Sequence, residues 1–421
     1  MARNRRNKRS FKKLTELISF KTFCILLTIL TVVILICVGT IFYRHYQDEK
    51  LLAQQRQELD KRIESIFTET VQNIADANNK TRDSIIRFSA VGDILCGEEM
   101  LQDAYQEDTK SYNFDPMFQG VSSFLQRSDI ILGTMETNFT NNSYSGYGNR
   151  NSPKQFAQAV KNTGVNLVSI STNHSLDYGI EGLTQTKEYL QSIGFSTVGD
   201  NLGENTVTIK TIKDTKFAFL SYTDRIENQE SKTKKELASV NIYSEESAKK
   251  DLEYAKENAD YIFVIMHWGE DYATNPSKEQ KEIADFLIRN GANVILGNHP
   301  AVIQPMKIRK NEEGENVFIA YSLGNYISSI DYVNSKIELV LNIELRKSGE
   351  DGKVYLSKVD YTPIYVLDRG QKAENRYQLI DMKGIAKAYA NGNKDIVSKE
   401  IYEELLKGLD LLEEIVGTKE E

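Results

Sequence analysis

Three of the four histidines in this 421-residue chain sit in short polar clusters, each directly after a stretch that reads as a buried strand. His174 ends Ser-Thr-Asn-His (171–174), His267 lies in Met-His-Trp-Gly-Glu (266–270) and His299 in Gly-Asn-His-Pro (297–300). A fourth cluster, Val-Gly-Asp (91–93), follows the alternating apolar run 85–91 in the same way. Asp, Asn and His supply oxygen and imidazole donors, the set that hard-to-borderline divalent cations select. Each cluster alone has a plain structural explanation. Asp93 could cap a helix, Asn173 and His174 could be a satisfied loop pair, and His299 before Pro300 could hold a turn. Together they point to chemistry, because parallel strands place their C-terminal ends along one edge. Asp93, Asn173, His174, His267 and His299 would then converge on a single pocket.

The elements that must position these residues are legible from 85 onward, where short apolar runs alternate with amphipathic stretches in the pattern of an α/β domain. Strands are predicted at 85–91, 130–134, 167–171, 217–221, 261–266, 294–296 and 317–322, and helices at 153–163, 181–193, 246–258 and 277–290. The last helix has a start signal at Pro276-Ser277 and a stop at Asn290-Gly291. Residues 336–346 and 353–361 read as a hairpin about Ser348-Gly349-Glu350-Asp351-Gly352, and 378–416 as helical and charge-rich. No break in composition divides 84–370, so it is expected to be one domain, followed by a C-terminal helical segment, 371–421. The loop 140–152 is poor in apolar residues and lies between two of the clusters. It reads equally as a mobile loop beside the site or as a surface excursion.

The first 83 residues differ in kind. Residues 22–42 are an uncharged apolar run of 21, long enough to cross the roughly 30 Å hydrocarbon core as a helix. Eight Lys or Arg side chains precede it, opposed only by Glu16, which places the N-terminus in the cytoplasm by the positive-inside bias. A cleavable signal peptide would have a shorter apolar region and a small-x-small cleavage site, which Val38-Gly39-Thr40 matches poorly. The expected organisation is a cytoplasmic basic tail (1–21), a single-pass signal anchor in the cell membrane (22–43), a helical stalk (44–83) and an extracellular body. Leu52, Leu59, Ile63 and Ile66 form a narrow seam on the stalk, suited either to pairing in a homodimer or to a solvated tether. Cys96 is the one thiol beyond the span, so the body must stand on its own core without an internal disulfide. Residues 1–50 carry ten basic and three acidic side chains, leaving 42 basic and 57 acidic for the remainder, a net of −15. An acidic body argues against nucleic acid as a partner, since phosphate contacts need a basic face.

Six motifs in order give the chain a family likeness: Val-Gly-Asp-Ile-Leu (91–95), Thr-Met-Glu-Thr (134–137), Ser-Thr-Asn-His-Ser-Leu-Asp-Tyr-Gly (171–179), His-Trp-Gly-Glu-Asp-Tyr (267–272), Gly-Asn-His-Pro (297–300) and Tyr-Ser-Leu-Gly-Asn-Tyr (321–326). Over roughly 85–370 the chain resembles the CapA-type poly-gamma-glutamate capsule biosynthesis family. The resemblance implies a calcineurin-like metallophosphatase fold, a β-sandwich flanked by helices. It also implies metal-site roles for Asp93, Glu136, Asn173, His267 and His299, with an ion of the Mn, Fe or Zn type. His174 is implied as an acid or phosphate-orienting group, Glu270 as an auxiliary group beside His267, and Ser322 and Asn325 as pocket-lining or turn residues. Two positions depart from the pattern: Ala301 stands where the family commonly has a second histidine after Pro, and Leu95 where metallophosphatases carry a ligand two residues after the Asp. Three functions follow as expectations. The first is a membrane-anchored exterior component of poly-gamma-glutamate synthesis or export, working with membrane-embedded synthase or exporter subunits on that or another anionic polymer. The second is a surface metal-dependent phosphoesterase, and the third a scaffold of the same fold without catalysis.

Overall fold

Alternation of apolar side chains along each strand decides how this chain layers, since successive residues of a strand face opposite sides of its sheet. A computed structural model describes residues 83–416 apart from 126 and 204, together with residues 24, 25 and 28. The chain divides into two units, Met1–Ile66 and Phe67–Glu421, and the described fold lies in the second. The basic tail, the apolar run and all but the last residue of the stalk lie outside the described residues, save those three isolated positions in the run. Among the described residues no helix is long and apolar enough to cross a membrane.

The strands are β1 (Ser84–Ile94), β2 (Tyr105–Gln106), β3 (Ser111–Tyr112), β4 (Ile130–Met135), β5 (Leu167–Ser169), β6 (Ser196–Val198), β7 (Thr208–Ile212), β8 (Thr215–Thr223), β9 (Tyr261–His267), β10 (Val294–Asn298), β11 (Met306–Lys310), β12 (Asn316–Ala320), β13 (Asn325–Ile327), β14 (Ile337–Lys347), β15 (Val354–Asp368) and β16 (Tyr377–Asp381). One sheet runs β16-β15-β14-β1-β4-β5-β6, with β13 also paired to β1; a second runs β11-β12-β10-β9-β8-β7; β2 and β3 make a small ribbon. Within the first sheet β1, β4, β5 and β6 are parallel. Within the second β8, β9, β10 and β12 are parallel.

Phe88, Leu132 and Leu167 of the first sheet pack against Phe217, Phe219, Phe263 and Leu296 of the second. The rings of Phe88 and Phe263 meet at 4.7 Å between centroids. The alternate residues Leu220, Val264 and Ile295 face outward and pack with the helices Glu245–Asn258 and Lys278–Arg289. Val91, Ile131 and Val168 face the other way, toward the helices Lys154–Asn162 and Gly179–Ser192. The result is an α/β sandwich of two sheets with helices on both outer faces. Ser277 starts its helix as the sequence indicates, with a capping box in which Ser277 and Gln280 satisfy each other's backbone N–H.

Two expectations change. Residues 378–416 are not helical from the start: Tyr377–Asp381 is strand β16 on the edge of the first sheet, and helices follow at Met382–Ala390 and Lys399–Val416. Five alternating residues next to a helix are too short a run to announce a strand by periodicity. The C-terminal segment is also no appendage, because Met382, Leu405, Leu412 and Val416 are buried in the same cluster as the inter-sheet core.

Candidate metal centre

The C-terminal ends of β1, β4, β9 and β10 and the loop after β5 bring Asp93, Glu136, His267, His299 and Asn173 together. At Gly92 a Cβ would lie 2.1 Å from the Gly324 carbonyl oxygen. Only glycine lets β1 run this close to the 322–325 turn, where Asp93 N–H donates to that carbonyl at 3.0 Å. Gly297 plays the same part in β10, where a Cβ would lie 1.9 Å from the Tyr321 carbonyl. Asp93 is fully buried, and its Oδ2 accepts a 2.7 Å bond from His299 N–H. That bond pins His299 at φ +98°, a region costly for a side-chain-bearing residue. The turn aims the imidazole back at His267: His299 Nδ1 lies 3.2 Å from His267 Nε2, with the rings edge-on at 4.8 Å.

His267 is the hub. Its Nε2 is 2.9 Å from Asn173 Oδ1 and 3.9 Å from Glu136 Oε1, and its Nδ1 is 3.4 Å from Asp93 Oδ1. Glu136, His267 and His299, all buried, each offer a ligand atom within 4.8 Å of the others. Asp93 Oδ1, His267 Nδ1 and Asn298 Oδ1 are buried with no hydrogen-bond partner. Buried polar atoms are normally paired; Asp93 Oδ1 and His267 Nδ1 face each other at 3.4 Å, and the donors on the Nε2 side of His267 are placed to accept a cation. The donors are carboxylate oxygen, amide oxygen and imidazole nitrogen, which suit Mn, Fe or Zn. The residues present fit a divalent ion.

Electrostatics agree with that fit. Burial pushes the Asp93 carboxyl up to about 7, against the lowering effect of the His299 N–H. Burial also drives His267 down to about 4, and with the neighbouring His267 it lowers His299. Neutral imidazoles are the form that binds metal.

His174 stands beside this cluster rather than in it. Its Nδ1 is 2.8 Å from Asp177 Oδ2, which leaves Nε2 as the uncommitted nitrogen. Glu270 is largely exposed and pairs with Arg225 at 3.3 Å, not with His267. Asn325 and Ser322 are buried in the turn that supports Asp93; Ser322 Oγ donates to the Val302 carbonyl. Three contributors escaped the sequence reading. Asp177 was signalled by its i,i+3 spacing from His174. Asn298, whose Nδ2 donates to Thr134 Oγ1 at 2.9 Å, sat next to a histidine already singled out. Arg150, which forms an ion pair with Glu136 Oε1, gave no signal beyond being a cation in a polar loop.

The family model for the bacterial capsule synthesis protein PGA_cap matches residues 87–330. The chain belongs to this family. It is similar to the capsule biosynthesis protein CapA of Bacillus anthracis, with 27% identity over 301 residues covering 68% of this chain and 70% of that one. The PGA biosynthesis protein CapA of Bacillus subtilis is 24% identical over 289 residues, covering 66% of this chain and 72% of the relative. Among solved structures, the calcineurin-like phosphoesterase YfkN of Bacillus subtilis matches with a TM-score of 0.41 and 14% identity, over 75% of this chain and 99% of that one.

Proposed function

We propose that this PGA_cap family member is an exterior, membrane-anchored component of poly-gamma-glutamate synthesis or export, and that it works through a divalent metal held at the converging strand ends. The names of its CapA relatives support the polymer assignment. The observation that carries the metal assignment is the buried set Glu136, His267 and His299, whose ligand atoms lie within 4.8 Å of one another. Glu136, His267 and His299 would hold the ion, with Asn173 Oδ1 as a further oxygen and Asp93 Oδ1 facing the opposite nitrogen of His267. Such an ion would supply Lewis-acid polarisation of a bound oxyanion. The chain's own part is to bury these donors, to keep both imidazoles neutral and to bring His267 Nε2 and His299 Nδ1 to one place. The anchor segment 22–43 would hold the body outside the cell, next to membrane-embedded synthase or exporter subunits. A strain lacking the protein should lose exterior polymer, and chains carrying Asp93→Ala or His267→Ala should fail to restore it. Full restoration by both variants would leave the fold as a scaffold and remove the metal from the account.

A second reading, a metal-dependent phosphoesterase, is favoured by one observation. His174 is tied through Nδ1 to the buried Asp177, the arrangement that orients an imidazole to deliver a proton from Nε2 to a leaving group. Turnover of aryl phosphomonoesters or diesters by the metal-loaded protein, lost in His174→Ala, would support it. No turnover with metal demonstrably bound would refute it.

A further inference from the structure

Among the described residues, Arg150 has a setting that the metal centre alone does not explain. It belongs to the loop 140–152, and its backbone is fixed from both sides. Arg150 N–H donates to Asp177 Oδ2 at 2.7 Å, and its carbonyl accepts from Asn138 N–H at 3.2 Å and Asn138 Nδ2 at 3.1 Å. Asn138 Nδ2 also reaches the His174 carbonyl at 2.9 Å. The loop closes on itself beyond Arg150, where Asn151 and Ser145 exchange backbone hydrogen bonds. It is therefore a pinned arm that presents one cation to the site.

The Arg150 side chain is only 20% exposed, and its Nη1 forms an ion pair with Glu136 Oε1. Its Nε is buried with no hydrogen-bond partner. Its charge lies close enough to act on Asp93, His267 and Tyr272. Arg225, the other arginine at these strand ends, is tied to Asp224, the Gly269 carbonyl and Glu270. If Glu136 serves a metal, its charge is shared between the ion and Arg150, and the largely buried guanidinium is only partly compensated among the described residues. Such a charge is stable only when paired. A guanidinium with free N–H groups matches carboxylate and phosphate oxygens in a way no other side chain does.

We infer that Arg150 is the specificity-determining residue of this site, holding an oxyanion of the ligand beside the metal position. This rests on the metal reading above. It also meets the difficulty that a body of net charge −15 has no long-range attraction for an anionic polymer. One fixed guanidinium at the site supplies locally what the surface as a whole lacks.

The test measures binding of two probes, inorganic phosphate and a short γ-glutamyl oligomer, to the full-length protein with Mn²⁺ supplied. Metal content is measured in parallel. Arg150→Ala should retain metal and bind at least one probe about tenfold to a hundredfold more weakly. Arg150→Lys keeps the charge without the fork, and should recover only part of the loss. Loss for phosphate alone identifies a phosphoester ligand, and loss for the oligomer alone a carboxylate. The inference is overturned if both variants bind both probes like the parent, or if both lose metal, which would make Arg150 a support for Glu136. A parent protein that takes up metal but binds neither probe overturns it as well. A parent without metal whose probe binding still depends on Arg150 would overturn the metal reading and leave this one standing. If it binds neither metal nor probe, both fall.

Discussion

At the scale of single residues, the site is organised by hydrogen bonds that commit one side of a group and leave the other free. Asp93 uses Oδ2 on His299 N–H, while Oδ1 faces His267 Nδ1 at 3.4 Å without a hydrogen bond. His174 uses Nδ1 on Asp177 and leaves Nε2 open. Asp177 serves two partners through one oxygen, the His174 ring and the Arg150 backbone. Asp177→Ala strands both in a buried place, so chemical denaturation should show a loss of about 1–3 kcal/mol. A second buried carboxyl, Glu338, accepts from Asn325 N–H through Oε2 and has no partner for Oε1. Burial raises it well above the ordinary carboxyl value. A carboxyl raised by folding stabilises fully below its unfolded value, and that contribution is lost as pH rises toward the folded value. Glu338→Gln should therefore be more stable relative to the parent at about pH 8 than at about pH 5. No pH dependence of that difference would show that Glu338 is not held neutral. The ligand types Asp93, Asn173, His267 and His299 were legible in the sequence because they follow apolar runs. Arg150 and Glu338 were not, since what distinguishes them is burial with a polar atom left unpartnered, a property of the assembled fold.

At the scale of elements, the four parallel strands of each sheet do the positioning, and the glycines in their motifs let them approach. The sequence showed the strands that carry the site because each is a buried apolar run of adequate length. It did not show β6, β13 and β16, which have only three to five residues each. Nor did it show β7 and β11, whose exposure pattern mixes the two faces at the sheet edge. The loop 140–152 could be read two ways from composition alone; its bridges to Asn138 and Asp177 decide for a fixed arm. Gly92→Ala tests the closeness of β1 to the 322–325 turn. A methyl group 2.1 Å from the Gly324 carbonyl must push backbone apart, with an expected cost of about 1–3 kcal/mol and weakened metal uptake. A variant as stable as the parent would mean that the turn is not where Asp93 gets its support.

At the scale of the whole molecule, one core reaches from the first strand to the last helix. Leu412 in the C-terminal helix is 1% exposed and belongs to the cluster that fills the space between the sheets. Leu412→Ala should cost about 2–5 kcal/mol in denaturant unfolding, as a core leucine does; a cost near zero would make the C-terminal helices an independent appendage. Net charge also acts at this scale. Repulsion between an acidic body and an anionic polymer is screened by salt, so binding of a γ-glutamyl polymer should strengthen as salt rises at fixed Mn²⁺. A steep fall with salt would instead reveal a basic groove. If the strand ends converge on a metal centre, elemental analysis of the purified full-length protein must find the ion there. The comparison is with a His267→Ala, His299→Ala double variant, both grown with Mn²⁺ and Zn²⁺ supplied. The expected result is about one equivalent or more of transition metal in the parent, lost in the variant. Absence of metal from both, or equal metal in both, would contradict it.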